Sequence, residues 1–248
     1  MQKKPRKLHG GDIYRHPDVI DFSVNTNPLG APESVKRAVQ ESVAKIEHYP
    51  DVRCEALREA ISRFEQVNME EIFCGNGAAE LFFAAVQAVR PQKALVTAPS
   101  FSEYEEALRS VGAEVEYYYL CEEDNFQIRE DYVDKLSEEI DMIFLCNPNN
   151  PTGQIIDRDM LIKILGRCKK QNIIVILDEC FLEFLDEPNR YEMSDLREEY
   201  PNLLIIKAFT KIFSMPGLRL GYAISSNQDT LEEMSWKLQQ WNVSVPAQ

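Results

Sequence analysis

Lys211 and Arg219 carry the most chemical information in this chain. They lie in the segment Ala208-Phe209-Thr210-Lys211-Ile212-Phe213-Ser214-Met215-Pro216-Gly217-Leu218-Arg219-Leu220-Gly221-Tyr222. The segment follows the apolar run Leu203-Leu204-Ile205-Ile206, which puts Lys211 just past the carboxyl end of a buried strand. A lysine there sheds its proton more readily, because burial disfavours the ammonium, and its free amine can form a Schiff base with a carbonyl. An arginine downstream can hold a phosphate by a planar, two-pronged contact. An amine for an aldehyde and a guanidinium for a phosphate point to pyridoxal 5'-phosphate (PLP). A single lysine is by default a solvated loop residue, but its place after the strand and its spacing to Arg219 argue otherwise.

Asp178 ends a second apolar run, Ile173-Ile174-Val175-Ile176-Leu177. An Asp after a strand most often caps a helix or sits in a loop. Taken with Lys211, it reads instead as the carboxylate facing PLP's protonated pyridine nitrogen, which keeps the ring an electron sink. The run Asn147-Pro148-Asn149-Asn150-Pro151-Thr152-Gly153 is on its face a rigid turn. Asn150 could there donate a hydrogen bond to the ring's phenolic oxygen. Gly75-Asn76-Gly77 ahead of a helix offers backbone N–H groups and a positive helix terminus to a phosphate, or is a plain tight turn. It is not a P-loop, because no Gly-Lys-[Ser/Thr] follows. Phe101, after Ala98-Pro99-Ser100, could stack on the pyridine face or serve the core.

These residues need a scaffold that brings strand ends together. Pro32 to Ile46 reads as a helix with Val35, Ala38, Val39 and Val43 on one face, and Cys54 to Phe64 as a second amphipathic helix. From residue 72 short apolar runs alternate with helical stretches. Strands are expected at Ile72–Cys74, Ala94–Val96, Met142–Cys146, Ile173–Leu177, Leu203–Ile206 and Tyr222–Ile224. Helices are expected at Ala78–Val89, Ser102–Val111, Met160–Lys170 and Asp229–Gln240. Such alternation implies an α/β fold, a largely parallel sheet with helices on both faces. Ligands of such sheets bind beyond the carboxyl ends of the strands. Asn150, Asp178 and Lys211 all follow such ends, so they should face one crevice.

The net charge of -14 argues against nucleic acid or an anionic membrane as a general partner. A phosphorylated ligand must therefore be held by local donors. The six cysteines form no CxxC pair and do not cluster with the three histidines, which favours buried reduced thiols over a metal or disulfide framework. The basic start Met-Gln-Lys-Lys-Pro-Arg-Lys is not followed by an apolar stretch, and no run approaches a membrane span. The expected location is cytoplasmic.

The ordered set Asn149-Asn150-Pro151-Thr152-Gly153, Asp178-Glu179 and Lys211 with Arg219 resembles fold-type I PLP enzymes of the aminotransferase class I/II superfamily, over essentially the whole chain. The resemblance implies a PLP-dependent transferase-like large domain over residues 32–248, preceded by an N-terminal arm at 1–31 that belongs to the substrate site. The family's small C-terminal domain, with the arginine that usually clamps the substrate carboxylate, is missing from 1–248. By the resemblance Lys211 is the Schiff-base lysine, Asp178 faces the pyridine nitrogen, Asn150 the phenolic oxygen, and Phe101 stacks on the ring. Gly77, Ala78 and Arg219 hold the phosphate. Tyr49, in His48-Tyr49-Pro50-Asp51, reaches the phosphate of a neighbouring subunit, which implies a homodimer.

Two branches share these elements. Histidinol-phosphate aminotransferases have the Tyr-Pro-Asp, Asn-Asn-Pro-Thr-Gly and Gly-Leu-Arg motifs. Threonine-phosphate decarboxylases of cobalamin biosynthesis add His9-Gly10-Gly11-Asp12, Asp21-Phe22-Ser23-Val24-Asn25-Thr26-Asn27-Pro28-Leu29-Gly30, the Gly75-Asn76-Gly77 loop and Phe181. There His9, Gly10, Asn25 and Asn150 would meet a phosphorylated amino acid substrate. The expected reaction is decarboxylation of L-threonine 3-phosphate. The alternatives are transamination of the histidinol-phosphate type and a PLP-binding module without activity. Two departures stand out. Phe181 replaces a tyrosine whose hydroxyl many aminotransferases aim at the ring oxygen. Ala208 replaces a Ser or Thr that assists the phosphate, a loss of about 1 kcal/mol for one neutral hydrogen bond.

Overall fold

The computed structural model describes residues 10–248. Its strands are β1 (Ile72–Gly75), β2 (Lys93–Ala98), β3 (Glu114–Tyr119), β4 (Met142–Cys146), β5 (Ile174–Asp178), β6 (Leu203–Ala208) and β7 (Gly221–Ile224). They form one sheet in the order β1-β7-β6-β5-β4-β2-β3. Pairing is parallel from β6 through β3, and only β7 runs antiparallel to its neighbours β6 and β1. Every residue of β4 and β6 is buried. That is why β4, and β6 up to Ile206, are apolar runs without alternation: both faces of the sheet are covered.

The helices are α1 (Glu33–Ser42), α2 (Glu55–Glu65), α3 (Ala78–Val89), α4 (Ser102–Ser110), α5 (Asp131–Asp134), α6 (Arg158–Gln171), α7 (Phe209–Ile212) and α8 (Gln228–Lys237). Alternate strand residues feed opposite layers. Leu145, Leu177 and Ile205 pack with Ile61 of α2, Tyr132 of α5 and Leu161 of α6. Phe144, Ile176 and Ile206 pack with Leu81 and Phe82 of α3, Tyr104 of α4 and Met234 of α8. The parallel order β6-β5-β4 brings three strand ends side by side, as the sequence pattern requires.

Several elements differ from expectation. The first helix ends at Ser42 and tightens into a 3-10 turn at Val43–Lys45. β3 has no counterpart in the sequence reading, because Glu-Val-Glu-Tyr-Tyr-Tyr is a half-exposed edge strand with no apolar run to mark it. β6 continues past Ile206 and takes Lys207 into the sheet. The six cysteines are free thiols, and all but Cys121 are buried. Residues 10–31 contain neither helix nor strand. Their anchor is Asn27, whose backbone N–H donates to the Lys211 carbonyl (3.0 Å) and whose side-chain amide donates to the Ile212 carbonyl (2.9 Å). No helix among the described residues is long and apolar enough to cross a membrane.

Candidate active site

A cavity opens at the carboxyl ends of β4, β5 and β6, on the face covered by α3, α4 and α8. Ala78, Phe101, Asn150, Asp178, Lys211 and Arg219, all singled out from sequence, line it together. Each is delivered by a chain reversal at a strand end or a helix start. Asn150 follows β4 in the proline-braced turn, where the Asn149 amide donates to the Thr152 hydroxyl at 2.9 Å. Asp178 is the last residue of β5, and Lys211 sits in the short α7 directly after β6. Phe101 is the N-cap of α4 and Ala78 the first residue of α3.

Asp178 is the most buried of the ionisable groups Asp178, Lys211 and Arg219 that line the cavity. Burial pushes its carboxyl up, and donors oppose this: the Cys180 thiol, the Tyr104 hydroxyl, which reaches Oδ2 at 2.5 Å, and the Cys180 N–H, which reaches Oδ1 at 2.9 Å, with Lys211 adding its charge. Lys211 is half-buried, its ammonium 5.7 Å from the centre of the Phe181 ring. Burial lowers its proton affinity, Arg219 lowers it further, and Cys180 and Asp178 pull the other way. The balance favours a free amine relative to an ordinary lysine, which a nucleophile toward a carbonyl requires.

The end of the cavity beside α3 and Arg219 is shaped by missing side chains. Gly77, the N-cap of α3, has φ +86°, and a Cβ there would lie 2.5 Å from Arg219 Nη2. A Cβ on Gly221 would meet the Ala78 nitrogen at 2.9 Å. The N-terminus of α3, with its free N–H groups, therefore sits hard against the strand ends and beside a guanidinium, an anion cradle of helix dipole plus cation. Thr210 also lines the cavity, so a hydroxyl-bearing residue stands two positions from Ala208. An amine of lowered proton affinity, a buried anion and a positive cradle, spread around one cavity with an aromatic wall, fit PLP.

Other expected site residues lie elsewhere. Tyr49 is 79% exposed and packs against Trp241 in a tilted ring pair, ring centres 4.6 Å apart. Gly10 packs against Ser23, and Asn25 is exposed. None of the three lines the cavity in this chain. His9 lies outside the described residues. Sequence reasoning passed over Tyr104; its signal was a position three residues beyond Phe101 on the same helix. It also passed over a buried ion cluster on the opposite face of the sheet, beside a cavity of about 580 Å³. There Lys207 contacts Glu65 and Glu192 at 2.9 and 2.8 Å. Lys207 escaped notice because its strand was taken to end one residue earlier.

The sequence matches the family model for aminotransferase class I and II over residues 17–248. It is 37% identical over 247 residues to the threonine-phosphate decarboxylase of Salmonella typhimurium, an alignment covering 96% of this chain and 67% of that protein. Among solved structures it resembles the histidinol-phosphate aminotransferase from Clostridium acetobutylicum, with a TM-score of 0.84 and 32% identity over 92% of this chain and 67% of that one. It also resembles the L-threonine-O-3-phosphate decarboxylase from Porphyromonas gingivalis, with a TM-score of 0.79 and 25% identity over the same shares. The chain thus spans about two thirds of the length of these relatives.

Proposed function

The chain belongs to the aminotransferase class I and II family, a family of PLP-dependent enzymes, and on that premise we propose that it serves the decarboxylation of L-threonine 3-phosphate to (R)-1-aminopropan-2-ol phosphate in cobalamin biosynthesis. The observation that carries this reading is the likeness to the Salmonella decarboxylase across 96% of the chain. Phe181 at the cavity wall beside Lys211 supports it.

In this reading Lys211, its proton affinity lowered by burial, would hold the cofactor through its amine and would deliver a proton to the α-carbon once carbon dioxide has left. PLP supplies, when bound, the electron sink for the pair left at that carbon. Asp178 would keep the proton on the ring nitrogen, Asn150 would donate to the phenolic oxygen, and Phe101 would pack on the ring. Gly77, Ala78 and Arg219 would hold the phosphate. Tyr49, exposed in this chain, would complete the phosphate site of a second copy, so the working unit is a homodimer in the cytoplasm. His9, Gly10, Asn25 and Asn150 would receive the phosphorylated amino acid.

Transamination of the histidinol-phosphate type is the second reading, favoured by the TM-score of 0.84 to such an enzyme. Lys211 would then carry the proton from the α-carbon to the cofactor. Incubating the PLP-loaded protein with L-threonine 3-phosphate should release carbon dioxide without added 2-oxoglutarate. No gas, with glutamate formed from histidinol phosphate and 2-oxoglutarate, overturns the first reading in favour of the second. PLP bound with neither product leaves an inactive binding module.

A further inference from the structure

Asp178 acts through its charge and its aim, and the group that governs both lies behind it. Tyr104 is fully buried, and its hydroxyl reaches Asp178 Oδ2 at 2.5 Å across 74 residues of sequence. Its ring is locked: stacked on Phe144 at 4.8 Å, edge-on to Phe82 at 5.0 Å, and edge-on to Phe101 at 5.7 Å. Burial, with the Asp178 charge next, holds the phenol well above its usual range, so the hydroxyl stays protonated and donates while the carboxylate accepts. The residue sits on the helix whose N-cap is Phe101, one turn further on. One rigid element thus carries both the cavity's aromatic wall and the hydroxyl that grips its anion.

We propose that Tyr104 is a positioning residue of the cofactor site: its hydroxyl keeps the Asp178 carboxylate anionic and turned so that its remaining lone pairs face a protonated ring nitrogen. The proposal rests on the PLP reading of the cavity. With the Cys180 N–H on Oδ1 and Tyr104 on Oδ2, each oxygen has one fixed donor and the carboxylate cannot rotate without breaking both. The groups facing Asp178 are Tyr104 from α4, Cys146 from β4, Cys180 beyond β5 and Lys211 from α7. Burial pushes both thiols up, so they stay neutral. The Cys180 thiol and the Tyr104 hydroxyl are therefore the neutral side-chain donors that offset burial of the carboxylate, and Tyr104 makes the short bond to Oδ2, with Lys211 as the cation. A hydrogen bond to a charged group is among the strong ones, and its loss leaves the acceptor to be neutralised instead.

The test is the affinity for added PLP between pH 5 and 9, by equilibrium dialysis, for the wild type, Tyr104→Phe and Asp178→Asn. Tyr104→Phe keeps the ring packing and removes the donor. It should weaken binding about tenfold near pH 7 and move the acid side of the binding profile up by about one pH unit, because Asp178 then takes a proton sooner. Replacing Tyr104 with 3-fluorotyrosine, a more acidic phenol of nearly the same size, should move that limb down, and it serves as the decisive variant if Tyr104→Phe does not fold. A profile for Tyr104→Phe that matches wild type, or falls equally at all pH values, overturns the proposal while loss of binding in Asp178→Asn keeps the PLP reading. Wild-type binding by Asp178→Asn overturns the cavity assignment itself.

Discussion

Glu179, next to the proposed ring partner but on the opposite face of the sheet, should make stability fall as pH rises through neutrality. Its carboxyl is wholly buried. Oε1 accepts a 3.3 Å hydrogen bond from the Met193 N–H, and Oε2 has no hydrogen-bond partner among the described residues. The nearest cation, Lys207, lies 3.9 Å away and is already committed to Glu65 (2.9 Å) and Glu192 (2.8 Å), with Glu183 at 3.7 Å. One ammonium cannot neutralise so many carboxylates. Burial, reinforced by Glu192, Glu65 and Glu183 and opposed by Lys207, pushes Glu179 from its ordinary 4.5 up to about 8. A group whose folded value lies above its unfolded one contributes stability that is complete below pH 4.5 and gone above pH 8. At about 1.4 kcal/mol per pH unit, the interval corresponds to about 5 kcal/mol as an upper bound. Because Glu65 is pushed up by burial too and shares Lys207, one substitution should capture roughly 2 to 5 kcal/mol of it. Urea unfolding of wild type and Glu179→Gln at pH 5.5, 6.5, 7.5 and 8.5 measures this directly. Because the series begins about one pH unit above the unfolded value, the wild type should lose about 2 to 3 kcal/mol relative to the glutamine variant across it. Parallel pH curves, within about 0.5 kcal/mol, would refute the reasoning and mean that Lys207 suffices to keep Glu179 ionised.

Other expectations concern the cavity and the arm. Lys211→Ala should abolish covalent retention of PLP after borohydride, read by mass spectrometry. Gly77→Ala should weaken PLP binding tenfold or more by driving Arg219 from the phosphate cradle, with about 1 to 3 kcal/mol lost to the strained φ of +86° in urea unfolding. Gly221→Ala should cost about 1 to 3 kcal/mol by overpacking, because the atoms in its way, the Ala78 nitrogen and the Lys207 carbonyl at 2.9 and 3.0 Å, are backbone and cannot swing aside. Asn27→Ala removes the 2.9 Å bond to the Ile212 carbonyl. It should cost about 1 kcal/mol and speed tryptic cleavage at Arg15, followed by gel and mass analysis.

The site was legible where chemistry and local pattern coincide. Lys211, Asp178 and Asn150 each follow a run apolar enough to mark a strand buried on both faces, and the parallel order of β4, β5 and β6 does the rest. Tyr104 was not legible, because an aromatic on a helix face is core by default and its hydroxyl's partner is 74 residues away. The Lys207 cluster stayed hidden for a similar reason: its carboxylates come from α2, the residue after β5, and the loop before β6. No spacing joins such residues. β3 failed on composition, since an edge strand need not be apolar.

The end of β6 shows why one strand can serve both assemblies without mixing them. Lys207 and Ala208 are adjacent, so their side chains leave opposite faces of the sheet. The lysine goes to the glutamates, and the alanine goes to the floor of the cavity. Across the ladder Ala208 pairs with Gly221, so two of the smallest residues form that floor. Their size lets the N-terminus of α3 come down onto the strand ends, where its N–H groups and Arg219 can share one anion. From sequence alone Ala208 read as a lost hydroxyl. In the fold it belongs to the shape of the cradle, whose charge comes from the helix terminus and Arg219, with Thr210 at the same wall. A serine at 208 would restore a hydrogen-bond donor worth about 1 kcal/mol. The close approach of α3 contributes a helix terminus whose effect on an anion is of the same order or larger, so the cup loses little by the alanine.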